Sequence, residues 1–224
     1  MSKQEKLRLF EDYNIYCITA EKFSRGRENL KVVSEMLQAG VKIIQYREKY
    51  KSLKEKYYEC LKIRELTRQY GAILIVNDHV DLCQMVDADG VHLGQDDYPV
   101  KEARRILGDE YIIGVSTHSP EQLEKAAKEG ADYAGVGPLF ATNTKDNAMP
   151  PVGLGYLKWA VANSSIPFVA IGGIKEYNIQ EVLDLGARCI ALVTEIVGAE
   201  DIKDKIDSLN KILERYRVSK KTSD

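Results

Sequence analysis

Short apolar runs rich in β-branched residues alternate with longer amphipathic stretches along the whole sequence, and this alternation constrains the fold more than any other feature. Strand, helix and strand in succession build a parallel sheet. The apolar runs predict strands at Ile15–Thr19, Lys42–Gln45, Ile73–Val76, Gly90–Leu93, Tyr111–Val115, Tyr133–Val136, Phe168–Ile171 and Ile190–Val193. Helical periodicity lies between them. It surrounds Leu30, Val33, Met36 and Leu37, then covers Leu53–Tyr70, Asp81–Val86, Pro99–Leu107, Ser119–Glu129, Leu154–Ala162, Ile179–Leu185 and Ile202–Tyr216. Glycines that follow several of these stretches, such as Gly40, Gly71 and Gly130, suit helix C-termini.

Eight strand–helix pairs in 224 residues match a single-domain α/β fold, the TIM (β/α)8 barrel, near its minimum length. An open doubly wound sheet is the other arrangement the pattern admits. With no linker or low-complexity tract, the expectation is one barrel domain over residues 1–224, ending in a frayed polar tail at 219–224. The segment from Gly137 to Gly153 lacks periodicity. A loop that long in a compact domain is a lid or binding-loop candidate.

Composition narrows the partners. The 32 Lys and Arg against 34 Asp and Glu give a net charge of −2, so no global field holds nucleic acid or an anionic membrane surface. No run of about 18 apolar residues occurs, and the opening Met1-Ser2-Lys3-Gln4-Glu5-Lys6 leads into no apolar signal core, so the expected location is cytoplasmic. Cys17, Cys60, Cys83 and Cys189 form no Cys-x-x-Cys pair and read as buried thiols. His79, His92 and His118 are too far apart for a helical metal motif, so any metal is expected on oxygen ligands. A homo-oligomer is compatible with the sequence, which does not fix the assembly state.

In a TIM barrel the active site lies where the strands end. Those ends carry Gln45-Tyr46-Arg47-Glu48-Lys49, Asn77-Asp78, Gln95-Asp96-Asp97, Ser116-Thr117-His118, the loop Thr142-Asn143-Thr144-Lys145, Gly172-Gly173 and Val193-Thr194. Arg47, Lys49 and Lys145 can place three cations over one mouth, which suits a polyphosphate. Gly172-Gly173 can bring backbone N–H groups close to a phosphate, or can be a plain tight turn. Asp78 and Asp97 suffice for Mg²⁺, which takes one or two carboxylates plus water and phosphate oxygens. Asp78 could equally cap the next helix. His92 falls inside a strand and reads as a barrel-interior or structural residue. Trp159 and most tyrosines read as packing, with Tyr46 the exception because of its rim segment. There is no nucleophile elbow, P-loop lysine or Gly-x-Gly-x-x-Gly motif.

Taken in order, Gln45-Tyr46-Arg47-Glu48-Lys49, Val76-Asn77-Asp78, Asp89-Gly90-Val91-His92-Leu93-Gly94-Gln95-Asp96-Asp97, Gly114-Val115-Ser116-Thr117-His118, Gly135-Val136-Gly137-Pro138-Leu139-Phe140, Thr142-Asn143-Thr144-Lys145 and Ala170-Ile171-Gly172-Gly173-Ile174 resemble the thiamine-phosphate synthase family over about Ile15 to Val197. The resemblance implies an enzyme that condenses 4-amino-2-methyl-5-hydroxymethylpyrimidine diphosphate with 4-methyl-5-(β-hydroxyethyl)thiazole phosphate, or its 2-carboxy form. It implies pyrimidine-diphosphate contacts at Gln45, Tyr46, Arg47, Glu48, Lys49, Asn77, Ser116 and Lys145, and thiazole-phosphate contacts at Thr142, Asn143, Thr144, Gly173, Val193 and Thr194. Mg²⁺ would sit on Asp78 and Asp97, and Arg47, Lys49, Ser116 and Lys145 would carry the catalysis.

The resemblance leaves two rivals. One is an isomerase like the related thiazole tautomerases, with His118 moving a proton; the other is a non-catalytic binder of thiamine precursors. The chain departs from the family at Thr194-Glu195, where a serine and a small residue are usual. Glu195 is expected past the turn, away from the phosphate and against a cation or a helix N-terminus.

Overall fold

The computed structural model describes residues 1–144 and 149–221, and its side chains up to Ser219. The predicted alternation folds into a closed barrel in which β1 (Asn14–Ile18), β2 (Ile43–Tyr46), β3 (Ile73–Asn77), β4 (Gly90–Leu93), β5 (Ile112–Thr117), β6 (Tyr133–Val136), β7 (Phe168–Ile171) and β8 (Cys189–Leu192) pair in sequence order. Every pairing is parallel, and β8 returns to β1 with Cys17 opposite Leu192. Closure rules out the open sheet.

The strands are joined by α2 (Asn29–Gln38), α3 (Leu53–Gln69), α4 (Val80–Met85), α5 (Val100–Leu107), α6 (Pro120–Lys128), α7 (Gly153–Asn163) and α8 (Ile179–Asp184). Alternate strand residues face opposite ways. One set, with Ile44, Leu74, Val76, Val91, Ile113 and Ala134, packs outward under the helices. The other fills the barrel with Tyr16, Ile43, Ile73, Ile75, Ile112, Tyr133, Val169 and Cys189. All four cysteines are buried free thiols. No helix among the described residues is long and apolar enough to cross a membrane.

Three features correct the sequence reading. First, an unexpected helix α1 (Lys3–Glu11) precedes the barrel, opened by a capping box between Ser2 and Glu5. Its one buried residue, Phe10, plugs the barrel floor and stacks on Tyr133 with ring centroids 4.3 Å apart. Second, β8 begins and ends one residue early, because the chain turns at Val193 into a short helix α9 (Thr194–Val197). Third, α10 (Ile202–Lys221) runs through the first half of the tail expected to fray, leaving 222–224 outside the described residues.

The long loop after β6 is anchored at its base. Leu139 and Phe140 donate backbone hydrogen bonds to Ile171 and Gly172 at the end of β7, and Val152 closes back on Pro138. The Gly137–Pro138 peptide is cis. Lys145 lies outside the described residues, so the third member of the expected cationic cluster is not placed.

Candidate active site

The pleat at the end of β2 divides the Gln45 to Lys49 segment between two destinations. Gln45 points into the barrel, where its side-chain N–H donates to the Tyr16 hydroxyl at 2.8 Å. Tyr46 faces the helices, and its hydroxyl donates to Glu59 of α3 at 2.7 Å. That burial and the neighbouring carboxylate push the Tyr46 phenol far above its ordinary range. The Glu48 carboxylate is engaged within the protein. It accepts from the Glu21 backbone N–H at 2.9 Å and from Asn29 at 3.0 Å, tying down the chain between β1 and α2. Arg47 is fixed through its backbone, since its N–H donates to the Thr19 hydroxyl at 2.8 Å. Arg47, Glu48, Lys49 and Thr144 line one cavity with Lys22, Phe23 and Tyr50. The structure therefore brings Arg47, Glu48 and Lys49 of the β2 rim together with Thr144 of the long loop, and sends Tyr46 to the helices.

Asp78 does not cap α4, whose N-cap position is His79 and lacks a side-chain cap. It adopts a left-handed φ of 62°, a conformation Asp tolerates better than most residues, and its carboxylate accepts from Lys49 Nζ at 2.5 Å. The Asp97 carboxylate, held by the Gly94 backbone N–H at 2.6 Å, lies within hydrogen-bond contact of the Asp78 carboxylate. Burial works against the charge on Asp78, yet the Lys49 ammonium outweighs it and holds that carboxyl below its usual range. Asp97 goes the other way: burial, with the adjacent Asp78 charge, raises it. Two carboxylates this close could hold a cation between them. Among the described residues no group of three acidic, histidine or cysteine side chains gathers for a metal.

At the end of β5 the Ser116 hydroxyl sits 2.9 Å from Nε2 of His92, which is an interior residue as its strand position predicts. His118 is bound to the Gly137 carbonyl through Nδ1 at 2.5 Å and ties α6 to the loop base. Asn77 is half-buried at the end of β3. In the loop, the Thr142 and Thr144 hydroxyls are 3.0 Å apart, with Asn143 exposed between them.

The ends of β7 and β8 supply a second polar corner. Gly173 has φ of 65°, and a Cβ there would come within 2.5 Å of the Ala141 carbonyl, so this turn both needs glycine and packs under the loop. Thr194 opens α9 behind Val193, and its hydroxyl accepts from Lys175 Nζ at 2.8 Å. Glu195 pairs with Lys175 at 3.3 Å and Lys205 at 3.2 Å. Its charge is thus matched by cations, as expected for a residue past the turn. Sequence reasoning missed Lys175, Tyr16 and Tyr133. Tyr16 and Tyr133 were detectable from their inward register on β1 and β6; Lys175 carried no signal beyond its nearness to Gly172-Gly173.

Fold and rim together define the class, a (β/α)8-barrel enzyme whose charged groups gather where the strands end. The family model described as thiamine monophosphate synthase matches residues 15–196. The thiamine-phosphate synthase of Caldicellulosiruptor saccharolyticus is 64% identical over 219 residues, 98% of this chain and 99% of that one. That of Dictyoglomus turgidum is 56% identical over 220 residues, again 98% and 99%. Among solved structures, the thiamine phosphate pyrophosphorylase of Pyrococcus furiosus superposes with a TM-score of 0.85 at 38% identity, covering 94% of this chain and 98% of the other. The chain belongs to the thiamine monophosphate synthase family, and it is a transferase.

Proposed function

We propose that this chain joins 4-amino-2-methyl-5-hydroxymethylpyrimidine diphosphate to 4-methyl-5-(β-hydroxyethyl)thiazole phosphate, or its 2-carboxy form, to give thiamine phosphate and diphosphate. The observation that carries the reading is the Lys49–Asp78–Asp97 cluster beside Arg47, in a rim shared with Thr144. It offers a diphosphate two cations and offers a divalent ion two carboxylates, in one place.

The carbon–oxygen bond of the pyrimidine methylene breaks with its electron pair leaving on diphosphate, and the thiazole nitrogen supplies the pair that forms the new carbon–nitrogen bond. Arg47 and Lys49 stabilise the charge that grows on the leaving group, with Lys145 assigned the same role by the family pattern. Preorganised charges of this kind are often the largest catalytic contribution. Asp78 and Asp97 would hold Mg²⁺, since hard oxygen donors in mutual contact fit that ion and leave its remaining positions to water and phosphate oxygens. When bound it supplies charge neutralisation on the diphosphate. Gln45 and Ser116 border the pyrimidine and orient it. Thr142, Asn143, Thr144, Gly173, Val193 and Thr194 bind the thiazole phosphate, and the loop after β6 covers both substrates and keeps water from the reacting carbon. His118 is engaged with the Gly137 carbonyl, which supports synthesis over a tautomerase role.

The decisive experiment mixes purified protein, both substrates and Mg²⁺, and measures thiamine phosphate and diphosphate together. Equal amounts of the two products support the proposal. Isomerised thiazole without thiamine phosphate would replace it with the tautomerase reading.

A further inference from the structure

A continuous line of polar side chains crosses the barrel interior beneath the mouth. The Gln45 side-chain N–H donates to the Tyr16 hydroxyl at 2.8 Å, the Tyr16 and Tyr133 hydroxyls are 2.9 Å apart, Tyr133 is 2.9 Å from Nδ1 of His92, and Nε2 of His92 is 2.9 Å from the Ser116 hydroxyl. Tyr16 and Tyr133 are almost fully enclosed, at 1% and 0% exposure. The barrel is shaped around them: a Cβ on Gly114 would come within 2.1 Å of the Tyr133 ring, so glycine on β5 makes the room. Phe10 of α1 stacks beneath the same ring.

Buried hydroxyl protons need acceptors, and that requirement gives the line a direction. An amide N–H can only donate, so the Tyr16 oxygen accepts from Gln45 and the Tyr16 proton goes to Tyr133. Tyr133 then donates onward to Nδ1 of His92. A neutral imidazole that accepts at Nδ1 carries its proton on Nε2, where it donates to the Ser116 oxygen. The Ser116 proton is thereby left over for whatever occupies the mouth. Burial pushes both phenols well above the ordinary tyrosine range, so they retain the protons this scheme uses.

We infer that Gln45, Tyr16, Tyr133 and His92 form a one-way hydrogen-bond relay that makes Ser116 an obligatory donor to the substrate, with Tyr133 and His92 as positioning residues. The inference rests on the proposed function for its substrate and on geometry alone for its direction.

Two measurements on the full-length protein test it. Long-range ¹⁵N–¹H correlation of the His92 ring reads the tautomer without any substrate; the expected result is a proton on Nε2. A proton on Nδ1 would mean the line runs in reverse, and the inference would fall. The Tyr133→Phe variant removes the donor to Nδ1, so His92 should lose its single tautomer. Turnover should fall about tenfold or more, with both Michaelis constants within about twofold. Wild-type turnover in folded Tyr133→Phe would also overturn the relay. If that variant does not fold, Tyr16→Phe keeps the inference testable: Tyr133 can still donate to Nδ1, so the proton should stay on Nε2, and a proton moved to Nδ1 would overturn the relay. A wild-type protein that makes no thiamine phosphate would sink the proposed function while the tautomer still decided the direction of the relay.

Discussion

The two ends of the barrel handle charge in opposite ways. At the floor, Asp89 and Asp132 stand just before β4 and β6 and are satisfied alike. Asp89 takes Lys6 at 2.7 Å, Arg64 at 2.6 Å and the Leu74 backbone N–H at 2.8 Å. Asp132 takes Lys3 at 2.8 Å, Arg104 at 2.5 Å and the Ile113 N–H at 2.8 Å. Each carboxylate meets one lysine from α1, one arginine from an outer helix and one strand amide. At the mouth, Asp78 and Asp97 press against each other with Lys49 on one side, and the Arg47 guanidinium makes no ion pair among the described residues. The floor neutralises its charges internally, whereas the mouth leaves charge to be completed by something from outside. On the proposed function, a stability-driven arrangement and a ligand-driven one occur on the same eight strands.

The comparison breaks most visibly at the mouth. Asp78→Ala should lower turnover by about 10²–10³-fold, the usual cost of removing one preorganised electrostatic partner, and should shift the Mg²⁺ dependence; an unaltered Mg²⁺ titration would remove Asp78 from the metal site. At the floor the effect should fall on stability instead. Asp89→Ala strands Arg64 and Lys6 with a partner gone, at about 3–5 kcal/mol for a buried pair. The melting temperature should drop by roughly 10 °C, with turnover at low temperature within about twofold; a large loss of turnover in the folded variant would contradict the division of labour.

Asp97→Asn sharpens the contrast by separating function from stability. Its carboxyl is raised in the folded protein, so without metal the folded state binds the proton more tightly than the unfolded chain does. Stability from this group is full below the unfolded value and declines as pH rises through the raised one. At neutral pH the amide removes that penalty. Activity should fall while the metal-free melting temperature rises by about 1–2 °C; a lower melting temperature would show that the carboxylates do not oppose each other. The smallest effect belongs to Glu195, a mouth residue neutralised in the floor's manner by Lys175 and Lys205. Glu195→Ala should leave the Michaelis constant for thiazole phosphate within about threefold. A tenfold drop, about 1.4 kcal/mol, would show that its charge does reach the phosphate.

The barrel was legible because periodicity of two and of 3.6 residues survives in nearly every element, and Gly90–Leu93, Tyr133–Val136 and Phe168–Ile171 coincide with their predicted bounds. Helix α1 was not, since Leu7, Leu9 and Phe10 are too few and too close together in a polar segment to show a helical period; Ser2-x-x-Glu5 was its visible trace. β8 slipped because Val193 and Thr194 continue a β-branched run beyond the point where the backbone turns. At the site, Asp78, Asp97 and Lys49 were legible as chemistry at strand ends. The separation of Gln45 from Tyr46 was not, because five rim residues written side by side do not say which face the barrel core and which the helices. His92 read as structural, and its contact with Ser116 emerged only once β4, β5 and β6 were side by side.

The lysines of α1 have a consequence in time as well as in space. Lys3 and Lys6 are synthesised well before their partners Asp132 and Asp89, which stand on opposite sides of the barrel's midpoint in sequence. The helix cannot take its seat until β6 has been made and joined to β4 through β5. A segment made before its partners therefore waits undocked until they arrive, and its seating reports that β4, β5 and β6 already stand together.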